Sequence, residues 1–188
     1  AFSPLLVVLE TEGEDWTATV VSDLPVEKRL RLRIGLYRLN GERLFLEGKR
    51  LIVNANGKAL LELESLPDAA AGFVQADVWL RVQLEDEGEV VYDQTTCLLP
   101  IRSLRLPEPV VEITTEPSGN QLTVTLVSKV LVKGAYLGLE GIQGNFSDNF
   151  FDLCPGEPKT VQLKLPEPPL KGWPPVRLMS VHDSYTTE

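Results

Sequence analysis

Strict alternation of apolar and polar residues runs through almost the whole chain and confines it to β-strands. From Arg29 to Leu39, Leu30, Leu32, Ile34 and Leu36 alternate with Arg31, Arg33, Gly35 and Tyr37, so one face is greasy and the other wet, as in a half-buried strand. Between Gln75 and Leu84 the pattern recurs, with Ala76, Val78, Leu80, Val82 and Leu84 on one side and Gln75, Asp77, Trp79, Arg81 and Gln83 on the other. The same period predicts strands over Leu5–Thr11, Trp16–Asp23, Arg43–Val53, Ala59–Leu66 and Glu89–Leu98. Asn40-Gly41, Asn56-Gly57 and Glu87-Gly88 separate several of them, and such pairs supply the positive φ values that two-residue hairpins demand. No window of helical length keeps apolar residues on a 3.6-residue period with caps, so the reading is all-β.

Seven strands in about 100 residues, with a turn signal every ten or so, match an immunoglobulin-like sandwich. Leu104-Arg105-Leu106-Pro107-Glu108-Pro109 then breaks the pattern, because a proline has no N–H to give to a central strand. It reads as a short linker. Further strands are predicted over Val110–Glu116, Gln121–Ser128, Ala135–Leu139, Phe146–Leu153, Thr160–Leu165 and Val176–Tyr185, with the proline-rich Pro166–Pro175 stretch as an exposed loop. The fold expected is two tandem immunoglobulin-like β-sandwiches, residues 1–104 and 105–188.

Charge and composition exclude several functions. Residues 1–104 carry 11 Lys and Arg against 17 Asp and Glu, and residues 105–188 carry 7 against 10. Both halves are acidic, whereas a protein that neutralises phosphates presents a basic surface; no nucleic-acid partner is expected. The apolar runs are too short to span a bilayer or act as a secretory signal, so no membrane partner is expected either. One histidine and two cysteines fall short of most zinc sites. Cys97 and Cys154 lie one in each half and read as small buried hydrophobes, which favours a reducing, cytoplasmic compartment. The chain begins at Ala1 and its only methionine is Met179, as in a piece cut from a longer polypeptide.

No active site or cofactor site emerges. A serine or cysteine nucleophile needs a nearby base, and the single histidine, His182, reads as an ordinary residue of the last strand. A phosphate-cradling loop needs a Gly-rich strand-to-helix junction, which is missing. Paired carboxylates hydrolyse glycosides, yet the acidic residues here, in Glu10–Asp15 and Glu85-Asp86-Glu87, read as solvated turns. Asn145-Phe146-Ser147 is formally an N-glycosylation triplet and nothing around it adds to that.

Two features suit binding. Arg31, Arg33, Tyr37, Trp79 and Arg81 share the wet faces of two strands that neighbour each other in an immunoglobulin-like sheet. An indole on that face needs a cover. A packed domain is the preferred one, since Trp, Tyr and Arg are enriched at protein interfaces; a stacked sugar is the other, and an isolated exposed tryptophan is the plain alternative. In the late loop, Trp173 stands between Gly172 and Pro174-Pro175, stiff enough to lose little entropy on docking, or else folded back on its own sandwich.

The stretch Asn145-Phe146-Ser147-Asp148-Asn149-Phe150-Phe151-Asp152-Leu153-Cys154-Pro155-Gly156-Glu157 resembles the F-S-D-N-[YF]-F-D-L-x-P-G-E segment in the last immunoglobulin-like domain of β-mannosidases of glycoside hydrolase family 2. Asp148 and Asn149 have side chains suited to bonding nearby backbone. Phe150 and Phe151 point to opposite faces, so one fills the core and the other needs a cover. Pro155-Gly156 fits the centre of a type II turn. Val181–Tyr185 is similar to the family's closing strand, and Val20–Leu24 with the Arg31–Leu39 strand resembles the preceding sandwich. Cys154 stands where the family more often has leucine.

The resemblance implies a non-catalytic pair of sandwiches that follows a (β/α)₈ barrel carrying the acid/base and nucleophile glutamates. The parent reaction would be retaining hydrolysis of terminal, non-reducing β-D-mannose. The partners implied are the catalytic barrel of the same parent chain and a mannose-containing oligosaccharide, with Arg33, Tyr37, Trp79, Arg81 and Trp173 as contact candidates. Two alternatives stand beside it: a carbohydrate-binding module that targets mannan, and a tandem immunoglobulin-like adhesion ectodomain.

Overall fold

The computed structural model describes residues 3–12 and 15–184. The chain divides into two compact units whose main boundary lies between Arg105 and Leu106. The first unit holds β1 (Leu5–Glu12), β2 (Asp15–Ser22), β3 (Lys28–Arg38), β4 (Arg43–Val53), β5 (Lys58–Glu62), β6 (Val78–Asp86) and β7 (Glu89–Thr96). They form two antiparallel sheets ordered β1-β2-β5 and β4-β3-β6-β7. The alternation supplies the core between the sheets: Leu30, Leu32, Ile34 and Leu36 of β3 and Val78, Leu80, Val82 and Leu84 of β6 pack with Val7, Ala18 and Val20.

Of the three expected turn pairs, one behaves as read. Glu87 and Gly88 both take positive φ (51° and 93°) between β6 and β7, the conformation of a primed hairpin turn. Asn40-Gly41 takes positive φ only at Gly41 (88°), and Asn56-Gly57, between strands of different sheets, only at Asn56 (47°). One element differs from the all-strand expectation. The strand predicted over Ala59–Leu66 ends at Glu62, and Leu66–Ala71 form a short helix, α1, with Pro67 in its first turn and Leu66 and Ala70 buried on one face. Proline suits a helix start because the N–H it lacks would be unpaired there. Gln75–Asp77 form a 3₁₀ turn rather than the start of β6.

The second unit holds β8 (Val111–Ser118), β9 (Gln121–Ser128), β10 (Val132–Leu139), β11 (Phe151–Leu153), β12 (Pro158–Lys164) and β13 (Val176–Met179), in sheets ordered β12-β9-β8 and β11-β10-β13. Its core gathers Leu122, Val124 and Leu126 of β9, Ala135 and Leu137 of β10, and Phe151, Leu153, Val161 and Leu163. Pro155-Gly156 makes the expected turn, with Gly156 at φ 77° and Glu157 N–H donating to the Cys154 carbonyl at 3.2 Å.

Two strands are shorter than the alternation suggests. Residues 146–150 lie outside β11, with Phe146 joined to Leu163 by a single bridge. The last strand stops at Met179; His182–Ser184 form a 3₁₀ turn, so His182 is not a strand residue, and Tyr185 lies outside the described residues. The local cause is Asp183, whose carboxylate accepts the Ser180 N–H at 2.6 Å and the Ser180 hydroxyl at 3.0 Å, an Asx-type contact that competes with the ladder. Among the described residues, no helix is long and apolar enough to cross a membrane.

Candidate functional site

β3 and β6 are neighbours, and their register sets Tyr37 opposite Trp79, Gly35 opposite Arg81, Arg33 opposite Gln83 and Arg31 opposite Glu85. The five residues read as one wet face therefore do lie together. Their state differs from that reading in one respect. Trp79 is only 2 % exposed, its ring stacks on Tyr37 at 4.8 Å between centroids and 22° between planes, and its indole N–H donates to the Arg38 carbonyl at 2.9 Å. The indole has its cover and its polar partner within this chain, so the expectation of a solvent-facing tryptophan is corrected.

Gly35 makes this possible. A Cβ there would stand 2.4 Å from Tyr37 Cε2, far inside contact distance, so only glycine lets the phenol lie back along its own strand and receive the indole. Arg33 and Arg81 are engaged as well. Arg33 donates to Glu85 at 2.6 Å, and Arg81 holds Asp93 through Nε at 2.8 Å, with Gln83 donating to the same carboxylate at 3.1 Å. These pairs tie β3 to β6 and β6 to β7. Trp79 is therefore closed to a stacking sugar, and the Arg33 and Arg81 guanidinium groups are occupied.

Near the end of the face, Lys28 bonds Asp86 at 2.6 Å. The Asp86 carboxylate, first by the hydrogen bond and then by its charge, raises the Lys28 ammonium above its ordinary value of 10.5. Trp173, in the second unit, packs against the second core as a partly buried side chain, so its loop folds back on its own sandwich. Six carboxylates, Glu10, Glu12, Asp15, Glu62, Glu64 and Asp68, line an open groove beside α1. Among the described residues, no group of three or more His, Cys, Asp or Glu side chains is arranged to hold a metal ion.

The conspicuous surface feature is Phe150. It takes φ 62°, a left-handed conformation rare for a bulky side chain and costing about 1–3 kcal/mol. The frame around it is well bonded. The Asn149 carboxamide accepts from Leu137 N–H at 2.8 Å and donates to the Leu137 carbonyl at 3.3 Å, imitating a strand partner. Asp152 accepts Gly134 N–H at 3.0 Å and pairs with Lys133. Phe151 fills the core while Phe150 is 74 % exposed, which resolves the two-phenylalanine reading. The sequence signal was the motif; the side that stays open was not legible from it.

Comparison with known proteins follows the same division. Residues 14–102 match the mannosidase Ig/CBM-like domain model, and residues 106–184 match the Ig-fold domain model of the mannosidase type. Of solved structures, the β-D-mannosidase from Dictyoglomus thermophilum is 19 % identical and superposes with a TM-score of 0.67, over 95 % of this chain and 22 % of that one. The exo-chitosanase of Amycolatopsis orientalis is 18 % identical with a TM-score of 0.60, over 95 % of this chain and 25 % of that one. The chain thus spans about a quarter of the length of these structures and shares their fold. No curated protein matches it in sequence.

Proposed function

Residues 14–102 belong to the mannosidase Ig/CBM-like domain family and residues 106–184 to the mannosidase-type Ig-fold family, and from this we propose that the chain is the non-catalytic accessory region of a β-mannosidase-like glycoside hydrolase. The observation that carries the reading is the succession of the two families, in this order, over nearly the whole chain. The parent would hydrolyse terminal, non-reducing β-D-mannose with retention, using two carboxylates about 5–5.5 Å apart on a barrel outside these residues. The role of the two sandwiches, divided near residue 105, is to support that barrel and shape a rim of its cleft.

The contacts proposed for that support are Arg33, Tyr37 and Arg81 at the outer sheet face of the first unit and Trp173 in the second, with Trp79 holding Tyr37 in place from within. A mannan-targeting module is the weaker reading because Trp79 is buried and its stack covers a face of Tyr37. The test uses p-nitrophenyl β-mannoside. The polypeptide as its gene encodes it should cleave this substrate, and the 188-residue chain, freed of contaminating enzyme, should not. Cleavage by the 188 residues alone would overturn the proposal.

A further inference from the structure

One sheet of the second unit carries a short apolar row on its outer side. Tyr136 of β10 is the register partner of Met179 on β13, and the Phe150 ring lies 5.2 Å from the Tyr136 ring at a tilt of 38°. Since Ala135 and Leu137 point into the core, Tyr136 points outward, and Met179, Tyr136 and Phe150 form a row across the sheet. Phe150 is 74 % exposed and Met179 52 %. The next outward pair is Gly138 with Arg177; Gly138 adds no side chain beside Tyr136, and Arg177 pairs with Glu140 at 2.6 Å.

The exposure of Phe150 is built in. Its N–H donates to the Ala135 carbonyl at 2.8 Å, and the neighbouring Asn149 and Asp152 side chains are bonded to the backbone of β10. Phe151 occupies the core position, so the Phe150 ring has no route inward. Backbone strain persists only in an over-determined frame, and it clusters at functional sites. Phe, Tyr, Met and Arg are residue types enriched in protein interfaces, and an aromatic knob entering a pocket is the usual anchor of such contacts. A sugar platform calls for an aromatic face bordered by hydrogen-bonding side chains; here the ring is tilted against a tyrosine and a methionine completes the row.

We infer that Phe150 is the anchor by which the second unit docks onto the catalytic portion of its parent glycosidase. This rests on the accessory-region reading above. That occupant is favoured because the solved glycosidases of this fold devote only 22 % to 25 % of their chains to these two units. A neighbour tethered in the same polypeptide is present at an effective concentration of about millimolar, at which one apolar anchor with a small rim suffices.

Phe150→Gly and Phe150→Asn test the assignment, since both residues accept the left-handed conformation. In the 188-residue chain each variant should melt at the same temperature as the parent sequence or a few degrees higher. In the gene-encoded polypeptide each should lower the melting temperature of this region and speed its limited proteolysis about tenfold. Three results would overturn the docking while leaving the accessory reading intact: a polypeptide that cleaves aryl β-mannoside and ignores both substitutions, NMR shifts of Phe150 and Tyr136 in the 188-residue chain on adding mannohexaose, or a dimer of that chain that Phe150→Gly dissolves. A gene-encoded polypeptide that cleaves no aryl glycoside, or that holds nothing beyond these residues, would remove both readings together.

Discussion

Tyr37 lies back along β3 over Gly35, and that close approach decides the fate of Trp79. The indole follows the wet stripe of β6 in sequence, yet it is stacked on the phenol and hydrogen-bonded to Arg38. Alternation correctly gave its face. What it could not give was the cover, because the cover depends on a rotamer that a missing Cβ allows two positions before Tyr37. Phe150 is the reverse case: a pair of adjacent phenylalanines announces that one must face outward, but the left-handed φ that selects Phe150 is set by bonds from Asn149 and Asp152 to a strand more than ten residues earlier. Trp79→Ala removes a large buried ring and leaves the Arg38 carbonyl without its donor. It should destabilise the 188-residue chain itself by about 3–5 kcal/mol, read as a lower urea midpoint with an unchanged slope. A loss below about 1 kcal/mol would mean that the ring is not buried in the isolated chain.

At the scale of elements, strands were legible and their ends were not. β4 and β9 have the bounds their alternation predicts, and most other strands differ by a few residues. The larger departures have local causes. α1 is six residues long, too short for a helical period to show, and its start is set by Pro67; β13 ends where Asp183 bonds Ser180. One device recurs in both units without a repeated sequence. Ser22 at the end of β2 and Ser128 at the end of β9 are the buried polar residues among those described, and each hydroxyl accepts the N–H two residues on, at 3.2 Å, so the chain turns out of the sheet with its donor satisfied. Ion pairs join the strands at their outer faces, and Lys28–Asp86 gives one of them a pH signature. The raised ammonium means that its contribution is complete below the unfolded value near 10.5 and is lost as pH rises through the higher folded value. The pair therefore contributes in full at neutral pH and adds no pH dependence there. The difference between the parent chain and Lys28→Met should shrink only above about pH 10, which urea unfolding at pH 8 and pH 11 will check; a difference that is equal at both would exclude the pair as its source.

For the whole molecule, two units built on one plan are easier to read than the use they serve. The alternation made each half a sandwich, and a thirteen-residue motif attached the second to a family. Neither pattern marks contact residues, because a surface that meets another domain has no period of its own. One remaining feature bears on how such a chain survives in solution. β4 is an eleven-residue strand at the edge of its sheet, and two of its core-facing positions, opposite Ile34 and Leu32, hold Glu47 and Lys49. Glu47 Oε2 is buried without a hydrogen-bond partner, while Lys49 pairs with Glu47 at 3.4 Å and donates to the Glu62 carbonyl of β5. Charges turned inward on an open edge cost folding energy, and they spoil that edge as a template for another copy's strand. Replacing both with leucine should leave the melting temperature equal or higher, yet shorten the lag before thioflavin-positive fibrils appear; if the lag is unchanged, the pair has no such guarding role. On this view the misfit at the edge is a safeguard against amyloid.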